Sequence, residues 1–220
     1  MKAVSNDSHL TQAEMIQKEL DDYDRLDSLS NFAWGNIKFG TSKKDVFKTD
    51  AFKDGSDFGS SVRMSYENIE SLGRSMNLKE SLSHLEAVFQ DKELTHFQIK
   101  SSFVGRENIE DLTHDCDIFV EHFEEKYGKP SYDKGHIYMT DFQENEEFEY
   151  VKFQIHSKFI IISFGETYIE SFGFQYYYII DIDNIDYPTT ERYSVEKHEA
   201  VIKKWEEQKQ KEKEYLNNSF

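Results

Sequence analysis

From Asn108 to Pro130 the chain reads NIEDLTHDCDIFVEHFEEKYGKP, and its apolar residues recur at steps of mostly three and four. Ile109, Leu112, Cys116, Phe119, Val120, Phe123 and Tyr127 therefore share one face of a helix predicted over about 107–128. Glu110, Asp111, Asp117, Glu121, Glu124 and Glu125 take the other face. Gly128 supplies a residue that ends helices, and Pro130 blocks continuation. A helix with one apolar stripe needs a surface to lie on, and the segments on both sides read as strands. The expectation is an α+β fold, with a mainly antiparallel sheet packed against this central amphipathic helix and with flanking N- and C-terminal helices.

The same patterning divides the chain into an N-terminal helical extension (1–31), an α+β domain (32–188) and a C-terminal charged helix (189–220). In the extension, Thr11 and Glu14 form a capping box ahead of the stripe Ile16, Leu20, Tyr23 and Leu26. Phe32–Gly40 reads as a short strand entering a turn, and Ser42 caps a helix carrying Asp45, Val46 and Phe47. Asp54–Ser61 reads as a loop, since it lacks the Lys-Ser/Thr of a phosphate loop and the glycine spacing of a dinucleotide fingerprint. Alternation at Val62, Met64 and Tyr66 predicts a strand, followed by a polar connection around Gly73. Leu85–Phe89 and Thr95–Lys100 bracket Gln90–Glu93 as a hairpin with one wet face. Beyond the central helix, His136–Met139, Phe148–Ile155, Phe159–Phe164 and Phe172–Ile180 read as strands, with a tight link at His156-Ser157-Lys158. The last is aromatic on both sides, which predicts cover on both faces. Ser194 opens the C-terminal helix, apolar at Val195, Ala200, Val201, Ile202 and Trp205 and otherwise mostly charged after Lys203. Such a helix needs a partner in water and offers a route to a homo-oligomer.

Composition narrows the class. Aromatic residues are 15% of 220, with 18 Phe and 13 Tyr, so a substantial core is available despite a mean hydropathy of -0.76. The single Cys116 excludes an internal disulfide and reads as a small core residue. The N-terminal stretch lacks the apolar run of a signal peptide, and no segment approaches the length of a membrane span. The reading is a cytoplasmic protein. The formal charge of -17, from 43 acids against 26 bases, repels nucleic acid and anionic membrane surfaces. It suits a protein partner with a basic surface.

The search for chemistry is mostly negative. His114, Cys116 and His122 form the best metal cluster, but the position four residues from both histidines is Ile118. Asp181-Ile-Asp183-Asn184-Ile-Asp186 resembles the start of a calcium loop, yet has Ile185 at the fifth position, no sixth-position glycine and Arg192 where a bidentate Glu belongs. It reads as an acidic strand exit. No serine-nucleophile elbow is present, and Cys116 has no evident histidine base. No cofactor, metal or catalytic residue is predicted.

Ile37-Lys38-Phe39-Gly40-Thr41-Ser42-Lys43-Lys44-Asp45-Val46 resembles the glycine-then-capped-helix entry of small bacterial BamE-like α+β domains. Phe123 through Tyr127-Gly128-Lys129-Pro130 is similar to the helix end that precedes their second group of strands. The resemblance spans about 32–182 and implies a non-enzymatic binding or assembly module. The chain departs from BamE-like lipoproteins in lacking a lipobox and in carrying both flanking helices, so their envelope location is not implied.

These readings converge on a non-enzymatic acidic interaction protein that occupies and neutralises a partner, as immunity proteins and phage anti-defence proteins do. Its partner-binding candidates are Asp21, Asp22 and Asp24 on the N-terminal helix, Glu144, Glu146 and Glu147 in an acidic loop, and Tyr132, Tyr138, Tyr187 and Tyr193 as aromatic anchors. Two alternatives remain open: a ligand-binding or hydrolase-like enzyme with its site between helix and sheet, and a self-assembling structural subunit. The first requires a concave pocket with at least two perturbed ionisable groups.

Overall fold

The spine of the protein is a long antiparallel sheet. The computed structural model describes residues 12–187. In chain order these form α1 (Gln12–Ser30), β1 (Phe32–Trp34), β2 (Ile37–Lys38), α2 (Lys43–Val46), β3 (Ser56–Asp57), β4 (Ser61–Arg63) and α3 (Tyr66–Met76). There follow β5 (Leu82–Gln90), β6 (Glu93–Ser101), α4 (Ile109–Tyr127), β7 (Tyr132–Asp133), β8 (Glu147–Ile155), β9 (Lys158–Ile169) and β10 (Gly173–Asn184). Among the described residues, eight strands join in the order β3-β4-β5-β6-β10-β9-β8-β7, and β1 and β2 form a separate hairpin. The chain is thus α+β, with a large antiparallel sheet and several helices. Thr11, Tyr193 and the helix expected over 189–220 lie outside the described residues.

Turn chemistry sets the register. Asp91 and Lys92 both take positive φ between β5 and β6, the geometry whose twist matches two antiparallel strands. His156, at φ 50, turns β8 into β9 so that Ile155 faces Lys158. Ser42 caps α2 by accepting the Asp45 N–H, as its position before Asp45 predicts.

Four local expectations are corrected. The polar connection after Val62 is the helix α3, whose cap Ser65 accepts from the Asn68 N–H and whose end is Asn77 in the left-handed region. Ile69, Leu72 and Met76 give it an inward face, so the alternation through Tyr66 does not extend a strand. Asp54–Ser61 is not all loop, because Ser56 and Asp57 pair with Arg63 and Val62. His136–Met139 forms no strand: the Asp141 carboxylate accepts the Tyr138 N–H and curls Met139–Asp141 into a 3-10 turn. The acidic exit after Ile180 is strand interior, since β10 runs on to Asn184 and pairs with β6 and β9 along Asp181–Asp183.

The main core lies on the sheet face that carries Phe153, Ile160, Ile162, Phe164, Tyr178, Ile180 and Ile182. Onto it α4 contributes Leu112, Cys116, Phe119 and Phe123. The Phe119 ring meets Tyr178 at 6.1 Å and Phe123 meets Phe153 at 5.8 Å, both edge to face. Burying each such ring contributes about 1.5–3 kcal/mol. Asp115, on the same helix, is fully buried and accepts the backbone N–H groups of Lys79 and Glu80, both at 2.8 Å. That bond pair ties the segment after α3 to α4. On the opposite sheet face Tyr177, Ile179, Asp181 and Asp183 of β10 are buried as well.

Candidate functional site

Three places gather chemistry. The first is the far end of the β9–β10 hairpin. β8 begins opposite Gly165, and the chain beyond β6 last pairs with β10 where Val104 bridges Tyr176. Thr167–Ile169 and Gly173–Gln175 pair with each other as a two-stranded ribbon past those backbone pairings, with the Thr167 hydroxyl donating to Asn145 Oδ1 at 3.1 Å. Tyr168 and Phe174 face each other across it, rings 5.3 Å apart, and Phe172 sits in its turn. Their exposures are 53%, 48% and 75%. Taking about 200 Å² for a whole aromatic side chain, the three present roughly 350 Å² of apolar surface. That is comparable to the largest patch on a typical monomer, about 300–600 Å² and often functional.

Carboxylates stand at the base of this ribbon and in its turn. Glu144 bridges to Glu166 and Asn145 donates its N–H to the Glu166 carbonyl, which holds the 143–147 loop against β9. Glu146 and Glu147 follow, Glu147 accepting from the Tyr177 hydroxyl at 3.1 Å, and Glu170 lies in the ribbon turn. Burial, then a bond to Glu166, pushes the Tyr176 hydroxyl up to about 12.

The second place is a cavity of about 190 Å³ at the C-terminal end of α4, between that helix, β1 and the sheet. Phe32, Trp34, Phe123, Tyr127, Lys126, Lys158 and His122 line it with Ala33, Gly35 and Ile182. Lys158, at the start of β9, points to the α4 side and is 1% exposed. Its amine donates to the Phe32 carbonyl at 2.7 Å and to the Tyr127 hydroxyl at 2.8 Å. Burial, then the charge of Lys126, lowers it to about 7. Burial also lowers Lys126 and raises Tyr127 to about 12. The pocket with at least two perturbed ionisable groups that a helix–sheet site requires is present here.

The third is a polar network on the opposite face of the sheet. His96 of β6 places Nδ1 2.7 Å from Asp183 and Nε2 3.2 Å from Asp181, both on β10. Burial works against the imidazolium, but Asp183 and then Asp181 overcome it and raise His96 to about 10. Gln98 donates to Asp181 at 2.8 Å and contacts His84 at 3.2 Å, while Arg63 pairs with Glu86 at 3.4 Å. His96, Asp181 and Asp183 form an ion-paired structural link between β6 and β10.

The predicted contact residues are scattered. Asp21, Asp22 and Asp24 are exposed on α1, with Asp21 accepting from Gln17 and Asp22 beside Arg25. Tyr132 is exposed on β7 at the sheet edge, and Tyr138 is exposed against His136. Tyr187 is half-buried on Phe39, ring to ring at 6.2 Å. Glu144 and Glu147 pair with Glu166 and Gly165 at the base of the exposed ribbon, with Glu146 between them in the chain. Tyr168 was missed because the strand was expected to end at Phe164, whereas β9 runs on to Ile169; Phe172 and Phe174 were missed because a strand aromatic on both sides was read as covered on both faces. Lys158 was read as a turn residue, and only the fold turns it inward.

Burial, then Asp117 and Asp115, pushes the Cys116 thiol well up. Among the described residues no cluster of three or more His, Cys, Asp or Glu is placed to hold a metal, and no helix is long and apolar enough to cross a membrane. No family model, curated protein or solved structure matches the chain.

Proposed function

We propose that this is an acidic, non-catalytic interaction protein that docks on the basic surface of a protein partner through the end of its β9–β10 ribbon. The observation that carries the reading is the trio Tyr168, Phe172 and Phe174, exposed on a ribbon with Glu170 in its turn and the Glu144–Glu147 segment paired at its base. Aromatic anchors supply the energy at the centre of an interface, and a charged rim supplies steering and orientation. A chain of net charge -17 is steered toward positive partners wherever it meets them. The resemblance to BamE-like binding modules points the same way. Occupying a basic functional surface neutralises it, as immunity and anti-defence proteins do.

The test is capture from the native cytosol by wild-type protein and by the variant Phe172→Ser/Phe174→Ser. The reading expects a basic protein retained at low salt, released at high salt, and absent from the variant. Equal recovery by both proteins would remove the ribbon from the interface.

A further inference from the structure

Independently of the ribbon, we propose that the cavity at the end of α4 binds a small organic carboxylate with a flat apolar body. Three observations carry this. In a chain with 43 acidic residues, none of the ten cavity-lining residues is Asp or Glu, while Lys126, Lys158 and His122 are among them. An ammonium has three donors, and among the described residues Lys158 uses two, both on uncharged oxygens. Beyond those two bonds the Lys158 amine faces the Tyr127 ring, 4.6 Å from its centroid, and no carboxylate among the described lining residues. In its protonated form it has a donor and a charge to offer an anion. The walls are aromatic: Phe32, Trp34, Phe123 and Tyr127 line the cavity with the two amines, both of which lie over the Tyr127 ring, a surface suited to a planar ligand.

The volume sets the class. Drug-sized ligands occupy about 300–1,000 Å³, whereas this cavity, at about 190 Å³, has room for a single small ring with its carboxylate. Two carbonyls of the helix end already have partners. The Lys126 carbonyl is taken by Arg25 at 3.0 Å and the Glu124 carbonyl by the Gly128 N–H.

Binding is coupled to protonation. Facing Lys158 are Lys126, Tyr127 and His122 from α4, whereas β1 and β10 present Phe32, Ala33, Trp34 and Ile182. Because burial and Lys126 lower Lys158 to about 7, the bound carboxylate recruits a proton to it, and affinity falls as pH rises through that value.

Trp34 lines the cavity and reports on it; the chain's other tryptophan is Trp205. In full-length Trp205→Phe protein, benzoate is expected to change Trp34 emission saturably. Benzamide, the same shape without charge, should bind at least about tenfold more weakly, the worth of one charge-assisted hydrogen bond. Lys158→Met fills the space without a charge and should erase that preference while the unfolding transition stays cooperative. Lys126→Gln, on a half-buried helix position, should weaken benzoate and leave the fold intact, and it decides the matter if Lys158→Met does not fold. An unsaturable response, equal binding of benzoate and benzamide, or an unchanged preference in the lysine variants would overturn the proposal.

Discussion

His96 Nδ1 and the Asp183 carboxylate meet at 2.7 Å across β6 and β10, 87 residues apart in the chain. Asp181 flanks the other side of the ring, so one imidazolium is shared by two buried carboxylates. Removing one member of a buried ion pair costs about 3–5 kcal/mol, because the charges left behind lose their compensation. His96→Gln should therefore lower the free energy of unfolding in urea by about that amount. A loss under 1 kcal/mol would mean that the carboxylates are compensated elsewhere.

Two buried bases titrate in opposite senses. His96 is raised to about 10, so the folded chain holds the extra proton and its stabilisation, complete below the ordinary histidine value, is lost as pH rises through 10. Lys158 is lowered to about 7, so between 7 and its ordinary 10.5 the unfolded chain binds more protons and stability rises with pH. In wild-type protein these slopes oppose each other above pH 7. Lys158→Met removes the rising contribution and should leave a Tm that falls steeply with alkaline pH. His96→Gln should show the reverse slope.

Asp115 holds two backbone N–H groups in a buried position. Asp115→Ala orphans both, at about 1–3 kcal/mol for each unsatisfied group. Its amide exchange at Lys79 and Glu80 should accelerate far more than exchange in β9. Asp115→Asn keeps one acceptor oxygen and should fall between the two.

The ribbon aromatics carry little of the fold. Phe172→Ser and Phe174→Ser should each change stability by less than about 0.5 kcal/mol, as surface substitutions do, while removing roughly two-fifths and a quarter of the exposed apolar patch respectively. Thermal unfolding checks the first effect. Binding of a hydrophobic dye to the folded protein checks the second.

What the sequence determined by itself is local. The periodicity of α4, the Ser42 cap and the tight turns at Asp91-Lys92 and His156-Ser157 rest on interactions within a few residues, so they are written in the order of the side chains. The α+β class followed from them, with an antiparallel sheet on short connections. Helix α3 was also within reach, through Ser65, Ile69, Leu72 and Asn77, but a strand-like alternation hid it.

Only the tertiary structure decided the rest. Which strand stands beside which depends on pairings between distant segments, so the meeting of His96 with Asp181 and Asp183 has no local signature. A run of acids reads as solvated until a partner strand supplies the imidazole that makes burial affordable. The same holds for Lys158, which reads as a turn residue until β1 and α4 close over it. Phe172 and Phe174 read as core, and are exposed because β9 and β10 outrun the strands beside them. Side-chain type sets what each group can do, and the fold sets which of them are left with water, with each other, or with room for a ligand.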